Sequence, residues 1–237
     1  MGTRRRDVVV VGASAGGVEA LRDLVRGLPP DFDATLFAVL HIQPAATSML
    51  PQILTRAGAL TARHPAEGDT GSVFEPRTIY VAPPDRHMVI QGDRVRAVLG
   101  ARENRHRPAI DPLFRSAARF HGPRVIGVIL TGALDDGTAG LAAVKRQGGL
   151  AIVQHPEDAR FPSMPRSAMN SVAVDHCLPL AEIPGLLARL TRQPLIEPGG
   201  LRARGAGRRN AGDDGGQRSR RRCRPFVTGD ERMTGWR

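Results

Sequence analysis

Apolar residues along the first 190 positions fall into short continuous runs separated by helical patterns. Asp7–Val11 is a β-branched run without polar alternation, which is typical of a strand buried on both faces of a parallel sheet. Apolar side chains then recur at helical spacing from Val18 to Leu28, where two prolines end the pattern. A second apolar strand is predicted at Thr35–Leu40, so the chain opens as strand, helix, strand.

The middle of the chain differs from both ends. Thr78–Ala82, His87–Ile90 and Val95–Leu99, with the turn Gly92-Asp93, predict short antiparallel strands or a hairpin. After this region, the pattern of buried parallel strands alternating with helices returns. The predicted elements are a strand at 124–131, a helix from Thr138 to about Gln147, strands at Leu150–Val153 and Val172–Val174, and an amphipathic helix at Leu180–Leu190. These elements predict a doubly wound α/β fold, with a mainly parallel sheet flanked by helices and a short antiparallel hairpin insertion.

Composition divides the chain into a predicted domain at 1–190 and an Arg/Gly-rich tail at 191–237. The tail holds 12 Arg and 5 acidic residues, a net +7 of the total +11, and its few apolar residues predict disorder. A weak anionic contact of the tail is the alternative to simple solvation. Aromatic residues make up only 4% of the chain and no recognition motif is present, so we expect no specific nucleic-acid partner.

Two cysteines, Cys177 and Cys223, are too few for a disulfide framework or a metal cluster. The apolar run after Arg4-Arg5-Arg6 is too short for a signal peptide, and no stretch reaches the length of a membrane span. We therefore expect a soluble, cytoplasmic protein without membrane insertion.

Gly12-Ala13-Ser14-Ala15-Gly16 matches the nucleophile-elbow pattern G-x-S-x-G between a strand and a helix. Glycines relieve crowding around such a serine, and the helix N-terminus offers N–H groups to an oxyanion. The alternative is a phosphate-binding turn. The glycine spacing matches neither dinucleotide-binding nor P-loop patterns, so a catalytic Ser14 is favoured.

His41 and the pair Asp135-Asp136 also follow apolar strands, at the sheet edge where α/β sites gather. They suit a general base and its orienting carboxylate. His87 is the main rival base, and the residues alone do not choose between the two aspartates. The chain order Ser, His, Asp differs from the order in α/β-hydrolases.

Several separate motifs show that the body, roughly Asp7 to Leu190, closely resembles the catalytic domain of the chemotaxis protein-glutamate methylesterases, the CheB-type family. They are Val11-Gly12-Ala13-Ser14-Ala15-Gly16-Gly17, His41, Ala82-Pro83-Pro84-Asp85-Arg86-His87-Met88, Asn104-Arg105-His106-Arg107-Pro108, Ile129-Leu130-Thr131-Gly132 with Asp136-Gly137, and Met164-Pro165-Arg166.

The resemblance implies a triad of Ser14, His41 and Asp136, with His87 in a structural or groove position. It implies hydrolysis of glutamate methyl esters on the cytoplasmic helices of chemoreceptors, with release of methanol, and deamidation of receptor glutamines in some members. No cofactor or metal is implied. Arg105, Arg107 and Arg166 are candidates for binding a carboxylate-rich receptor helix.

The chain also departs from the family pattern. Ala15 replaces the usual Thr, and Ala133-Leu134 replaces the usual Met-Gly beside the acid, which changes the pocket wall. Only six residues precede the first strand, so we expect no receiver domain. The catalytic domain is then either constitutively accessible or controlled by a regulator in trans. A catalytically weak or inactive receptor-docking module of the same fold is the alternative.

Overall fold

A computed structural model describes residues 4–44, 47–66 and 71–195. Within these residues the helices are α1 (Gly17–Arg26), α2 (Leu50–Ala57), α3 (Ile110–His121), α4 (Thr138–Arg146), α5 (Ser163–Ser171) and α6 (Ile183–Arg192). The strands are β1 (Val8–Ala13), β2 (Thr35–Leu40), β3 (Thr61–Arg63), β4 (Ser72–Val73), β5 (Thr78–Val81), β6 (His87–Gln91), β7 (Arg94–Val98), β8 (Val125–Ile129), β9 (Leu150–Gln154) and β10 (His176–Leu178).

Seven strands form one parallel sheet in the order β10-β9-β8-β1-β2-β5-β3. Strand β1 lies between β8 and β2, with Val8 paired to Val125 on one side and to Thr35 on the other. From β1 the chain first adds β2, β3 and β5 on one side, and later β8, β9 and β10 on the other. The topological switch point therefore lies beside β1. The carboxyl ends of β1, β2 and β8 therefore meet at one edge.

The two faces of the sheet are covered by different helices. Val9 and Val11 of β1 pack in one apolar layer with α1, α2 and α6, whereas Val8 and Val10 pack in the other with α3, α4 and α5. Successive strand residues point to opposite faces, so the uninterrupted valine run supplies both layers. The predicted doubly wound α/β fold is confirmed.

A small antiparallel sheet, ordered β4-β7-β6, stands apart from the large one. Its hairpin joins β6 to β7 through Gly92, whose φ is 59°, and the Ile90 N–H donates to Ser116 Oγ of α3 at 3.0 Å. The predicted hairpin is confirmed. The inclusion of Thr78–Val81 in that antiparallel region was wrong, because β5 pairs in parallel with β2 and β3.

Two further predictions change near the end of the domain. Val172–Val174 is not a strand: these residues connect α5 to β10, and their valines pack against the helical layer. Helix α6 continues through Thr191, whose hydroxyl donates to the Leu187 carbonyl at 3.0 Å, and ends at Arg192. The helix thus extends two residues into the predicted tail, and residues 196–237 lie outside the described residues.

Candidate active site

Ser14 lies in the turn between β1 and α1. Gly16 has a φ of 71°, a left-handed conformation that carries a steric cost for any residue with a Cβ. The Ser14 N–H donates to the Thr131 carbonyl at 3.0 Å, and the Gly17 N–H donates to the Ser14 carbonyl at 2.9 Å. These bonds fix the turn and tie it to the loop after β8.

Gly12 allows α3 to approach the end of β1. A Cβ at this position would lie 2.5 Å from Ile110 Cγ2, closer than carbon atoms pack. Because Ile110 is the first residue of α3, its backbone N–H is free of helical partners and donates to Asp136 Oδ2 at 2.7 Å. The glycine of the turn therefore positions an aspartate from a distant loop.

Ser14, His41 and Asp136 form one hydrogen-bonded chain. Ser14 Oγ lies 3.0 Å from His41 Nδ1, and His41 Nε2 lies 2.7 Å from Asp136 Oδ2. The side chains of His41 and Asp136 are only 6% and 2% exposed. The carboxylate accepts a hydrogen from Nε2, which leaves the lone pair of Nδ1 facing the serine hydroxyl.

The Asp136 carboxylate accepts hydrogen bonds from four donors. Oδ2 takes those of His41 and Ile110, while Oδ1 takes those of Asn104 Nδ2 at 2.7 Å and the Asp111 N–H at 3.3 Å. Burial alone raises the pKa of Asp136, but the bonds from His41, Ile110 and Asn104 outweigh it and hold the pKa below its ordinary value. The buried carboxylate is therefore charged at neutral pH.

The two adjacent aspartates have different surroundings in the structure. Asp136 is buried, whereas Asp135 is exposed and uses its backbone carbonyl to accept the Thr138 N–H at 3.1 Å. No side-chain hydrogen bond caps the N-terminus of α4. Of the pair, Asp136 is the one in contact with His41.

His87, the rival base, is engaged elsewhere. Its Nε2 lies 2.8 Å from the Ala101 carbonyl, and its Nδ1 accepts the Ala109 N–H at 3.2 Å. The residue is 3% exposed. Both ring nitrogens bind backbone on either side of the loop between β7 and α3, so His87 holds that loop.

Arg107 was predicted to bind a receptor carboxylate, and its contacts place it in a structural role instead. Its Nε and Nη2 donate to Asp85 Oδ1 at 2.9 and 2.7 Å, and its Nη1 donates to the Gly100 carbonyl at 2.6 Å. These donors are already used, so the guanidinium anchors its own loop. Arg105 and Arg166 are exposed and stay candidates.

Two residues beside the triad were not singled out from the sequence. Asn104 contacts Asp136, and the His106 ring stacks on His41 with 3.6 Å between ring centroids and 9° between the planes. Burial and the neighbouring His41 lower the pKa of His106, so its ring stacks as the neutral form. The only sequence signal for either residue is the motif Asn104–Pro108.

Backbone donors remain beside Ser14. In the described part of the chain, the N–H groups of Gly17 and Gly132 are bonded to the carbonyls of Ser14 and Phe161, while those of Ala15, Gly16 and Ala133 have no acceptor. These three N–H groups lie in the nucleophile turn and in the loop that packs on it. An oxyanion formed at Ser14 would find donors there.

Apolar side chains line the rim of this site. Leu134 is 58% exposed with a φ of 64°, and Phe161 is 39% exposed. Phe161 lies against the Gly16 position and Met164 against Gly132. Ala133 and Leu134, where the chain departs from the family pattern, are both exposed in the loop that precedes Asp136.

The described residues contain no cluster of three or more His, Cys, Asp or Glu side chains suited to a metal ion. Their helices are all too short or too polar to cross a lipid bilayer.

The chain matches known proteins over most of its length. Residues 9–187 match the family model described as CheB methylesterase. A relative from Leptospira interrogans is 36% identical over 190 residues, which cover 80% of this chain and 97% of the relative. A protein-glutamate methylesterase/protein-glutamine glutaminase of Anaeromyxobacter dehalogenans is 41% identical over 189 residues, 78% of this chain and 51% of that protein.

A solved structure agrees with the sequence matches. The crystal structure of the Thermotoga maritima CheB methylesterase catalytic domain superposes with a TM-score of 0.73 at 32% identity, and covers 79% of this chain and 100% of that domain.

Proposed function

Because this chain belongs to the CheB methylesterase family, we propose that it hydrolyses methyl esters of glutamate side chains in chemoreceptors and releases methanol. Deamidation of receptor glutamines follows from the same chemistry, with ammonia as the leaving group. The observation that carries the proposal is the hydrogen-bonded chain from Ser14 through His41 to Asp136. Receptor signalling helices face the cytoplasm, so we place the enzyme there.

The reaction begins with proton transfer from Ser14 Oγ to His41 Nδ1, as Oγ forms a bond to the ester carbonyl carbon. Collapse of the tetrahedral intermediate breaks the bond to the methoxy oxygen, which takes the proton from Nδ1 and leaves as methanol. Water then attacks the acyl-enzyme with His41 again as the base. The glutamate carboxylate is released and Ser14 regains its proton.

Asp136 and the backbone support the charges that form in these steps. The ionised carboxylate stabilises the imidazolium and keeps the Nε2–H tautomer, so that Nδ1 is the nitrogen available to Ser14. The unpaired N–H groups of Ala15, Gly16 and Ala133 are the proposed oxyanion donors. Substrate preference is expected to depend on the rim at Ala133 and Leu134.

A receptor-docking module without activity is the weaker alternative. Such a module would have no need for a buried carboxylate held by four donors next to a histidine and a serine. The retention of this arrangement favours catalysis.

Replacement of Ser14 tests the proposal. Receptor membranes carrying radiolabelled methyl esters are incubated with the wild type, with Ser14→Ala, and with Ser72→Ala, a serine of the small sheet that serves as the matched control. We expect volatile methanol from the wild type and from Ser72→Ala only, and labelling of Ser14 by a fluorophosphonate probe. Equal release from the wild type and Ser14→Ala would refute the assignment.

A further inference from the structure

A second buried carboxylate lies next to the proposed triad. Asn104 Nδ2 is 2.7 Å from Asp136 Oδ1 and 3.0 Å from Asp111 Oδ2. Since both carboxylates bond to the same nitrogen, their oxygens lie within about 6 Å of each other. Asp111 and Asp136 are 5% and 1% exposed, so water does little to screen the repulsion between them.

The hydrogen bonds of Asp111 fit its charged form. Oδ1 accepts the Gly140 N–H at 2.6 Å, and Oδ2 accepts from Asn104. Burial raises the pKa of Asp111, and the charge of Asp136 adds to this effect. The charge of Asp136 therefore opposes the ionisation of Asp111, and the amide of Asn104, which has two N–H groups, stands between the two carboxylates.

The backbone presents Asn104 for this contact. Glu103 and His106 exchange two backbone hydrogen bonds, of 3.1 and 2.8 Å. Between them Asn104 and Arg105 have φ values of 49° and 69°. A turn with two left-handed residues favours Asn. The turn is held in place by the anchored Arg107 and also carries His106, so one turn touches both the acid and the base of the triad.

We propose that Asn104 is a positioning residue: it donates one N–H to each carboxylate, separates Asp136 from the charge of Asp111, and keeps Oδ2 of Asp136 directed at His41. The inference rests on the proposed function, because it assigns Asn104 a role in the same reaction. Without the amide, the two carboxylates face each other directly. Asp136 then either turns away from His41 or takes up a proton, and both changes weaken the base.

The experiment is a double-mutant cycle on Asn104 and Asp111. Asn104→Gly removes the amide and keeps the left-handed turn, which glycine adopts freely. Asp111→Asn removes the second charge at nearly constant shape. Glu103→Gln is the matched control, because Glu103 belongs to the same turn as Asn104 and its side chain pairs at the surface with Arg115 of α3. Rates are measured with a synthetic helical peptide that carries one γ-methyl glutamate.

We expect Asn104→Gly to lower kcat about 10- to 100-fold with KM nearly unchanged, the range expected for one lost orienting contact. Asp111→Asn alone lowers kcat a few-fold, because its new amide faces that of Asn104. Added to Asn104→Gly, the same change raises kcat at least fivefold, because the opposing charge is gone. Glu103→Gln keeps the wild-type rate.

If Asn104 had a merely structural role, adding Asp111→Asn would not raise the kcat of Asn104→Gly, because a second change would not hold the loop any better. The inference is overturned if the double variant is no more active than Asn104→Gly, or if folded Asn104→Gly keeps half of the wild-type kcat. Circular dichroism establishes folding. If Asn104→Gly does not fold, Asn104→Asp is used, for which a loss of more than 100-fold is expected and an unchanged kcat overturns the inference.

The rate of Ser14 labelling by a fluorophosphonate is measured on the same variants. This rate depends on the activation of Ser14 and not on peptide recognition. If the wild type releases no methanol from the peptide, the proposed function fails, while the order of labelling rates across the cycle still decides the role of Asn104.

Discussion

Asp136→Asn is the substitution for which the structure gives the sharpest expectation. All four groups around the carboxylate are donors: His41 and Ile110 at Oδ2, Asn104 and the Asp111 N–H at Oδ1. An asparagine amide has only one acceptor oxygen. Its nitrogen must therefore face two donors in either orientation.

Each orientation disables the site differently. With the nitrogen toward His41, the ring must take the Nδ1–H tautomer, and Nδ1 no longer accepts the Ser14 proton. With the nitrogen toward Asn104, the Asn104 amide and the buried Asp111 N–H lose their acceptor, and the imidazolium loses its counter-charge. We expect kcat to fall about 10³–10⁴-fold, equivalent to about 4–5.5 kcal/mol. We expect the free energy of unfolding to fall by about 2–4 kcal/mol.

The assay is methanol release under saturating substrate, with urea unfolding on the same preparation. Asp135→Asn is the matched control, since Asp135 is exposed and its recorded hydrogen bond is made by its backbone carbonyl, which accepts the Thr138 N–H; the variant should stay within about twofold of the wild-type kcat, as surface changes usually do. A folded Asp136→Asn variant with more than a tenth of the wild-type kcat would refute the reasoning.

Three further outcomes are expected. Gly12→Ala drives a Cβ to 2.5 Å from Ile110 and should lower the free energy of unfolding by about 1–3 kcal/mol in urea titrations. Leu134 has a left-handed φ of 64°, so Leu134→Gly removes backbone strain and should raise the free energy of unfolding by about 0.5–1 kcal/mol. Burial lowers the pKa of His106 and of His176, so the unfolded chain binds protons first on acidification. The free energy of unfolding should therefore decrease as the pH falls below about 6.5, which unfolding at pH 7.5 and 5.5 measures.

Each of these outcomes has a clear contrary result. Gly185→Ala is the control for Gly12→Ala, because nothing lies within 4 Å of its Cβ position; equal effects of the two changes would exclude the proposed clash. A loss of stability in Leu134→Gly would show that the leucine side chain is held by contacts. The pH argument fails if replacing His106 by Asn leaves the pH dependence of unfolding unchanged.

Local pattern was sufficient for much of the fold. The valine run of β1, the glycine turn with Ser14, and the hairpin at Gly92 are each decided by residues close together in sequence. The motif resemblance added the family and the three triad residues. Their meeting follows from a rule of topology, because the ends of neighbouring parallel strands lie together.

Tertiary structure decided the rest, because those features depend on contacts between distant segments. Thr78–Val81 has the same local pattern in either sheet, and only its neighbours β2 and β3 make it parallel. Asp135 and Asp136 are indistinguishable by type, yet one faces water and the other faces His41, 95 residues away. From the sequence alone Arg107 is a candidate to bind a receptor carboxylate, and only the folded structure shows that it is paired with Asp85. Asn104 acquires its role only where folding brings two buried carboxylates to the same nitrogen.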